Sequence, residues 1–171
     1  MKKVILGATG SIGSTLAKSL YKSGDEVHLV GRDEASLSSL ANELNSSFTI
    51  CDMLEENFTD KILSDLGGIP INGLAYCVGS IDLKPLKLIK KSDFMQSFNL
   101  NLVSAAEIIK ALADNLKQNK GSIVLFSTVA VKQGFPNHAI VSSAKGAVEG
   151  LTLALAAEFA PNIRVNCIAP S

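Results

Sequence analysis

One lysine stands in an apolar stretch of small residues, HAIVSSAKGAVEG (138–150). Lys145 comes four residues after Val141, so a helix would place both side chains on one face. A cation on a face that otherwise looks buried suggests a functional site. The stem of a lysine can also lie along an apolar helix with its ammonium in solvent. This stretch alone leaves both interpretations open.

A glycine-rich turn, GATGSIG (7–13), joins a predicted strand to a predicted helix. Gly7 permits a tight turn, while Gly10 and Gly13 allow close approach of a pyrophosphate and of helix to strand. The N-terminus of the helix adds N–H donors and positive dipole. A plain turn is the alternative, but this context predicts a dinucleotide site. The expected contacts are Gly7, Thr9, Gly10, Ser11, Ile12 and Gly13.

Charged residues follow the next two predicted strands. An acidic residue after the second strand would bind the ribose hydroxyls of NAD, whereas this strand ends at Gly31 and is followed by Arg32. A planar guanidinium suits a 2′-phosphate, which favours NADP(H) over NAD(H), although Arg32 could be solvated beside Asp33. Asp52 could accept a hydrogen bond from an adenine amino group. It could also be the N-cap of a helix beginning near 54.

Composition excludes several classes of protein. The chain of 171 residues is 47% hydrophobic and 5% aromatic, which suits one domain with a parallel sheet between helices. Sixteen basic and sixteen acidic residues cancel, so no net field recruits nucleic acid or a membrane. Its three widely spaced cysteines indicate reduced thiols rather than a disulfide or metal framework. The apolar run at the N-terminus is too short for a signal peptide, so we expect a cytoplasmic protein.

Short β-branched runs alternate with longer helical patterns. The predicted strands are 3–7, 26–31, 47–51, 73–78, 122–128 and 163–169, and the predicted helices are 11–23, 33–44, 54–65, 92–118 and 139–160. This alternation predicts an α/β fold with a doubly wound parallel sheet (Rossmann fold) and helices on both faces, as a single domain over 1–171. The loops 79–91 and 129–138 follow strands four and five, so both should face the ligand site.

Together these segments resemble the short-chain dehydrogenase/reductase family from Lys2 to Ser171. GATGSIG is similar to the family's TGxxxGxG with its middle glycine displaced, and Asp52-Met53 matches an Asp-Val pair. YCVG (76–79) keeps the glycine of the family's NNAG but loses both asparagines, and NIRVNCIAPS resembles IRVNxIxPG with Ser171 in place of glycine. The resemblance implies further cofactor contacts from Asp52, Met53, Cys77, Val78, Gly79, Lys145 and Pro170.

The same resemblance assigns catalytic roles. GFPNHAIVSSAKGAVEGLT (134–152) aligns without a gap with the family's GxxxxxxYxxSKxAxxxxT. It implies that Lys145 binds the nicotinamide ribose and lowers the pKa of a tyrosine four residues earlier, where this chain has Val141. Thr128 stands where the family has a serine that orients the substrate carbonyl, and Asn101 matches an asparagine that holds a water beside the lysine. The expected catalytic residues are therefore Asn101, Thr128 and Lys145.

Two functions are compatible with these residues. One is an NADP-dependent oxidoreductase acting on a small carbonyl or secondary alcohol, with its proton from water or another acid, for which His138 and Tyr76 are candidates. The other is a catalytically inactive dinucleotide-binding sensor or partner subunit, which Val141 favours. A nucleotide-sugar epimerase or dehydratase would usually keep the tyrosine. The resemblance favours the oxidoreductase.

The resemblance also bears on the substrate and on the assembly of the protein. The family's specificity segment comes after the sixth strand, and this sequence stops there, so the substrate cannot be named. The helices predicted at 92–118 and 139–160 are apolar around much of their circumference and need a partner beyond their own sheet. In the resembling family these two helices join subunits. We therefore expect a homodimer or homotetramer.

Overall fold

Six parallel strands form one sheet in the computed structural model, which describes residues 1–171. Their order is β3-β2-β1-β4-β5-β6. Strands β2 and β3 are added on one side of β1, and β4, β5 and β6 are added on the other side. The predicted doubly wound parallel sheet is confirmed, and its crevice is expected at the carboxyl ends of the neighbouring strands β1 and β4. The strands are β1 (Lys2–Leu6), β2 (Glu26–Gly31), β3 (Ser47–Ile50), β4 (Ile71–Tyr76), β5 (Ser122–Phe126) and β6 (Arg164–Ile168).

Helices cover both faces of the sheet, as predicted. They are α1 (Ser11–Lys22), α2 (Glu34–Glu43), α3 (Phe58–Leu66), α4 (Lys91–Phe98), α5 (Ser104–Gln118), α6 (Ala130–Gln133) and α7 (Ala139–Phe159). In β1, Val4 and Leu6 belong to a core that includes Ile108 of α5, whereas Ile5 belongs to a second core that includes Leu37 of α2. This alternation follows from the two-residue period of a strand.

Two predicted helices differ from the structure. The predicted helix 92–118 is divided by a π-helical turn, Asn99–Val103, between α4 and α5. The predicted helix 54–65 begins only at Phe58, with Asn57 as its N-cap. Asp52 is therefore not a helix cap; its Oδ1 accepts a hydrogen bond from the Leu54 N–H at 3.0 Å and closes a local turn.

α7 is the one helix long and apolar enough to cross a membrane, judged by length and composition alone. In this fold it packs along β5, β6 and α6. A helix that covers a sheet in a globular protein can satisfy the same criteria, so this property is weak evidence for a membrane span.

Candidate functional site

The turn between β1 and α1 accepts only glycine at two positions. Gly7 has φ +73°, and a Cβ there would lie 2.9 Å from the backbone of Cys77. A Cβ on Gly13 would lie 2.2 Å from the Gly7 carbonyl oxygen, so α1 approaches the turn too closely for a side chain. No side chain caps α1, which leaves its first N–H groups available to an anion.

A cleft of about 390 Å³ opens between this turn and the carboxyl ends of β2, β3 and β4. It brings together most of the predicted cofactor residues: Gly7, Thr9, Gly10, Arg32, Asp52, Met53, Cys77, Val78 and Gly79. Five others do not line this cleft: Ser11, Ile12, Gly13, Lys145 and Pro170. Gln96 and Leu100 line it but were not predicted, because no sequence signal marks the helix side of the cleft.

Arg32 and Asp52 form an ion pair at one end of the cleft, with Nη1 3.2 Å from Oδ2. The Arg32 side chain is 73% exposed, so its guanidinium can still meet a ligand. Asp33 Oδ1 instead accepts a hydrogen bond from the Ser36 N–H at 2.8 Å and caps α2. Hydrogen bonds from Ser36 lower the pKa of Asp33, so this carboxylate is committed to the cap.

Lys145 and Asn101 converge on Gly79 at the other end of the cleft. A Cβ on Gly79 would lie 2.9 Å from Asn101 Oδ1 and 3.1 Å from Lys145 Nζ. Lys145 Nζ forms neither a hydrogen bond nor an ion pair, and desolvation lowers its pKa. Its ammonium therefore reaches into the protein beside the cleft, which contradicts the interpretation of a lysine with its head in solvent.

Asn101 has one satisfied and one unsatisfied polar atom. Its Nδ2 donates to Ser97 O at 2.9 Å and lies 3.3 Å from Ser97 Oγ. Its Oδ1 is buried and has no partner. Buried polar atoms are rarely left without a hydrogen bond, so this oxygen calls for a water or a ligand group. The unpartnered oxygen, the nearby ammonium and the space at Gly79 fit the ribose of a dinucleotide.

Thr128 lies on a different cavity from the cofactor cleft. It lines a groove of about 590 Å³ between α7 and β6, together with Lys132, Glu149 and Cys167. Its Oγ1 accepts a hydrogen bond from the Ala130 N–H at 3.3 Å at the start of α6. Asn101 and Lys145 thus lie together at Gly79, whereas Thr128 lines the groove and bonds to the start of α6.

A buried serine that the sequence analysis missed lies beside this groove. Ser127 Oγ donates to Glu149 Oε1 at 2.6 Å and is buried under α7. Nothing in the local sequence pairs these two residues, which come together only when α7 packs on β5.

Neither residue considered as a replacement proton donor faces the cofactor cleft. Tyr76 is buried in the core, where its hydroxyl donates to Leu100 O at 2.7 Å and burial raises the pKa of the phenol. His138 Nδ1 donates to Pro136 O at 2.8 Å, and its ring lies 5.4 Å from that of Phe135. His138 is thus a residue of the loop before α7. Val141 itself is only 3% exposed.

Comparisons with known proteins find similar sequences. The chain is 31% identical over 174 residues to L-xylulose reductase of Bos taurus, covering 99% of this chain and 70% of that protein. It is 31% identical over 175 residues to Carbonyl reductase [NADPH] 2 of Sus scrofa, covering 100% of this chain and 71% of that one.

Solved structures show the same likeness. A short chain dehydrogenase/reductase family protein superposes with a TM-score of 0.92 at 26% identity, over 100% of this chain and 74% of that one. The sequence model of the family described as short chain dehydrogenase matches residues 2–171. The chain therefore belongs to the short-chain dehydrogenase/reductase family of oxidoreductases.

Proposed function

We propose that the chain is an NADPH-preferring oxidoreductase that acts on a small carbonyl or alcohol, with proton transfer altered by Val141. The observation that carries this proposal is the convergence of Lys145 Nζ and the unpartnered Asn101 Oδ1 on Gly79. A partly buried cation without a partner beside a buried acceptor suits a ligand that offers both an acceptor and a donor. The hydroxyls of a ribose offer both, and a nicotinamide cofactor held there would supply the hydride.

The preference for NADPH rests on the opposite end of the cleft. Arg32 is exposed there, while the carboxylate of Asp33 caps α2 and is not free to bind a ribose diol. A relative named Carbonyl reductase [NADPH] 2 supports the same preference. A 2′-phosphate would compete with Asp52 for the guanidinium of Arg32, and the phosphate carries more charge.

Proton transfer is the step that Val141 changes. A positioned general acid contributes about 10²–10⁴ in rate, or roughly 3–5 kcal/mol of barrier. Without one, the alkoxide formed by hydride transfer must take its proton from water or from another acid. The ammonium of Lys145 still stabilises the developing negative charge, and the cleft still holds the cofactor in place. We therefore propose a slow enzyme rather than an inert one.

The groove that contains Thr128 is the proposed substrate side of the molecule. Polar residues line much of it, among them Lys132, Gln133, Glu149 and Asn166. Relatives named L-xylulose reductase act on a sugar, so a small polyhydroxy carbonyl is the substrate class that we propose to test first.

The second candidate is a catalytically inactive dinucleotide-binding sensor or partner subunit. The burial of Val141 favours it, because an apolar side chain fills the position four residues before Lys145. One experiment separates the two functions: titration with NADPH and NADH by cofactor fluorescence, followed by NADPH oxidation across a panel of small ketones and keto sugars. Binding with turnover supports the enzyme, binding without turnover supports the sensor, and no binding excludes both.

We also propose a cytoplasmic homodimer or homotetramer. The π-helical turn, α5 and α7 border an apolar groove of about 570 Å³. Val103 at its edge is 43% exposed, and most of the residues that line the groove with it are apolar. A second copy of the chain would cover this face by isologous packing. Light scattering at micromolar concentration tests this proposal, and a monomer would contradict it.

A further inference from the structure

Tyr76 occupies the last position of β4, beneath the π-helical turn. The resemblance places Tyr76 where the family pattern NNAG has its first asparagine, so this tyrosine is a feature of this chain. It is 3% exposed, and its ring packs in the larger core. Its hydroxyl does not point into the cofactor cleft but donates to Leu100 O at 2.7 Å.

Leu100 belongs to the π-helical turn, Asn99–Val103, in which the regular hydrogen bonds of an α-helix are interrupted. Side chains from outside the turn hold its backbone. Ser104 Oγ lies 2.8 Å from both Asn99 O and Met53 O, and Tyr76 holds the next carbonyl along. The turn is thereby tied to the carboxyl ends of β3 and β4.

The residue after Leu100 is Asn101, whose Oδ1 faces the position of a Gly79 Cβ at 2.9 Å. Gly79 follows Tyr76 by three residues on the same chain segment. Tyr76 thus connects the segment that carries Gly79 to the turn that carries Asn101. A shift of the turn by a few tenths of an ångström would change the distance between Asn101 Oδ1 and any group bound beside Lys145.

We infer that Tyr76 is a positioning residue for the cofactor: by holding the Leu100 carbonyl, it fixes the π-helical turn that presents Asn101 Oδ1 beside Lys145. The inference rests on the proposed function, because it concerns the nicotinamide half of the bound dinucleotide. The adenosine half would lie toward Arg32 and Asp52, away from Asn101 Oδ1 and Lys145.

The test replaces the phenol without disturbing the ring. Tyr76→Phe keeps the packing and removes only the hydrogen bond to Leu100 O, so the protein should still fold. Affinity is measured for two probes, NADPH and 2′,5′-ADP, which carries only the adenosine half. Tyr21→Phe is the matched control, because Tyr21 is 44% exposed on α1.

Tyr76→Phe should weaken the binding of NADPH by about fivefold, because a displaced Asn101 Oδ1 would lose about one hydrogen bond to the ligand, and it should leave the binding of 2′,5′-ADP unchanged. Tyr21→Phe should change neither affinity. Equal weakening of both probes would show a general structural role and overturn the inference, as would wild-type affinity for both. A wild-type chain that does not bind NADPH would overturn the proposed function and the inference with it, and this is measured first.

Discussion

Two polar clusters with buried members lie toward opposite ends of the sheet, and only one of them has its hydrogen bonds satisfied. Toward the amino ends of the strands, His28 Nδ1 lies 2.8 Å from Ser47 Oγ and His28 Nε2 lies 2.9 Å from Thr49 Oγ1. Lys2 Nζ donates to Ser47 Oγ at 2.9 Å, and Thr49 Oγ1 donates to Asp65 Oδ2 at 2.6 Å.

The proton order in this first cluster follows from counting donors. Thr49 gives its one proton to Asp65, so it must accept from His28 Nε2. His28 Nδ1 is then an acceptor for the Ser47 hydroxyl, which accepts in turn from Lys2. This series of hydrogen bonds runs from the ammonium of Lys2 to the carboxylate of Asp65 through the neutral imidazole of His28. Burial lowers the pKa of His28 to about 4, consistent with that neutral form.

The cluster of Asn101 and Lys145 is the opposite case. Its acceptor has no donor, and its donor has no acceptor, although the two converge on one glycine. A closed hydrogen-bond chain stabilises a fold, whereas an open one has room for a water or a ligand group to complete it. The comparison therefore separates a structural cluster from a binding one within a single sheet.

The largest effect is expected from adding a general acid to the cluster of Asn101 and Lys145, called the open cluster below. Val141→Tyr places a phenol one turn before Lys145, whose ammonium lowers the pKa of that phenol from about 10. Reduction of small ketones by NADPH should rise ~10²-fold, the low end of general-acid contributions. Initial rates of NADPH oxidation are compared for the wild type and the variant.

Val141→Phe is the matched control, because it adds the same ring to a buried position without the hydroxyl. It should not raise the rate, and the gain from tyrosine should disappear in a Lys145→Ala background. A wild type that already turns over rapidly, with no gain from tyrosine, would show that another residue supplies the proton.

The cluster around His28, called the closed cluster, should make the free energy of unfolding depend on pH. The pKa of His28 is about 4 in the fold and 6.5 as its ordinary value, so the unfolded chain binds a proton first as pH falls. Stability from this group is complete above pH 6.5 and is lost between pH 6.5 and 4. From pH 7.5 to 5.0 the free energy of unfolding should fall by about 2 kcal/mol.

Urea unfolding at the two pH values measures this change. His28→Gln should be less stable at pH 7.5 and should have a shallower pH dependence, since the titrating group is gone. His138→Gln removes the chain's other imidazole, outside the cluster, and is the control. A pH dependence that survives in His28→Gln would contradict the assignment of a neutral, buried His28.

The difference between the clusters also marks what the sequence could predict. All six strands and the glycine turn were found because β-branched runs, turn glycines and a two-residue period are local signals. The π-helical turn was not, because FNLNLVSA is equally compatible with a continuous helix. EVHLVG predicts a buried strand but does not show that His28 meets Ser47 and Thr49, because strand register is set by the whole sheet.

Residues of the site follow the same division. Three positions of the glycine turn (Gly7, Thr9 and Gly10) and most of the predicted positions at strand ends line the cleft, since parallel strands bring their carboxyl ends to one edge. Thr128 was placed from the resemblance alone; it lines the groove between α7 and β6, and its hydroxyl accepts a hydrogen bond from the Ala130 N–H. Gln96 and Leu100 are brought to the cleft by the packing of α4 and the π-helical turn, which no short sequence pattern encodes.

Filling the space between Asn101 Oδ1 and Lys145 Nζ should weaken the binding of the cofactor without unfolding the protein. Gly79→Ala forces a methyl within 3.1 Å of Lys145 Nζ and 2.9 Å of Asn101 Oδ1, both of which are ends of side chains and can move aside. We expect about tenfold weaker NADPH binding, because hydrogen bonds to both groups are disturbed. Fluorescence titration measures the affinity, and urea unfolding verifies that stability is unchanged.

Gly146→Ala is the control for that variant, since its new Cβ would meet only Val131 Cγ1 at 3.6 Å, an ordinary contact. Wild-type affinity in Gly79→Ala would mean that the cofactor does not reach the open cluster. Loss of affinity in both variants would point to a general effect of methyl groups around α7.

The smallest effect is expected at the far end of the cleft, where the charges are already paired. Arg32→Ala removes a guanidinium that is 73% exposed and bound to Asp52 at 3.2 Å, so its contact with a 2′-phosphate is screened by water and shared with a carboxylate. We expect about fivefold weaker NADPH binding and no change for NADH, which has no phosphate there. Parallel titrations with both cofactors measure the ratio. Equal loss of affinity for both cofactors would mean that Arg32 maintains the shape of the cleft and does not select the phosphate. Selective loss of affinity for NADPH would mean that the two ends of the site act independently: Arg32 selects the 2′-phosphate, and the cluster of Asn101 and Lys145 binds the ribose.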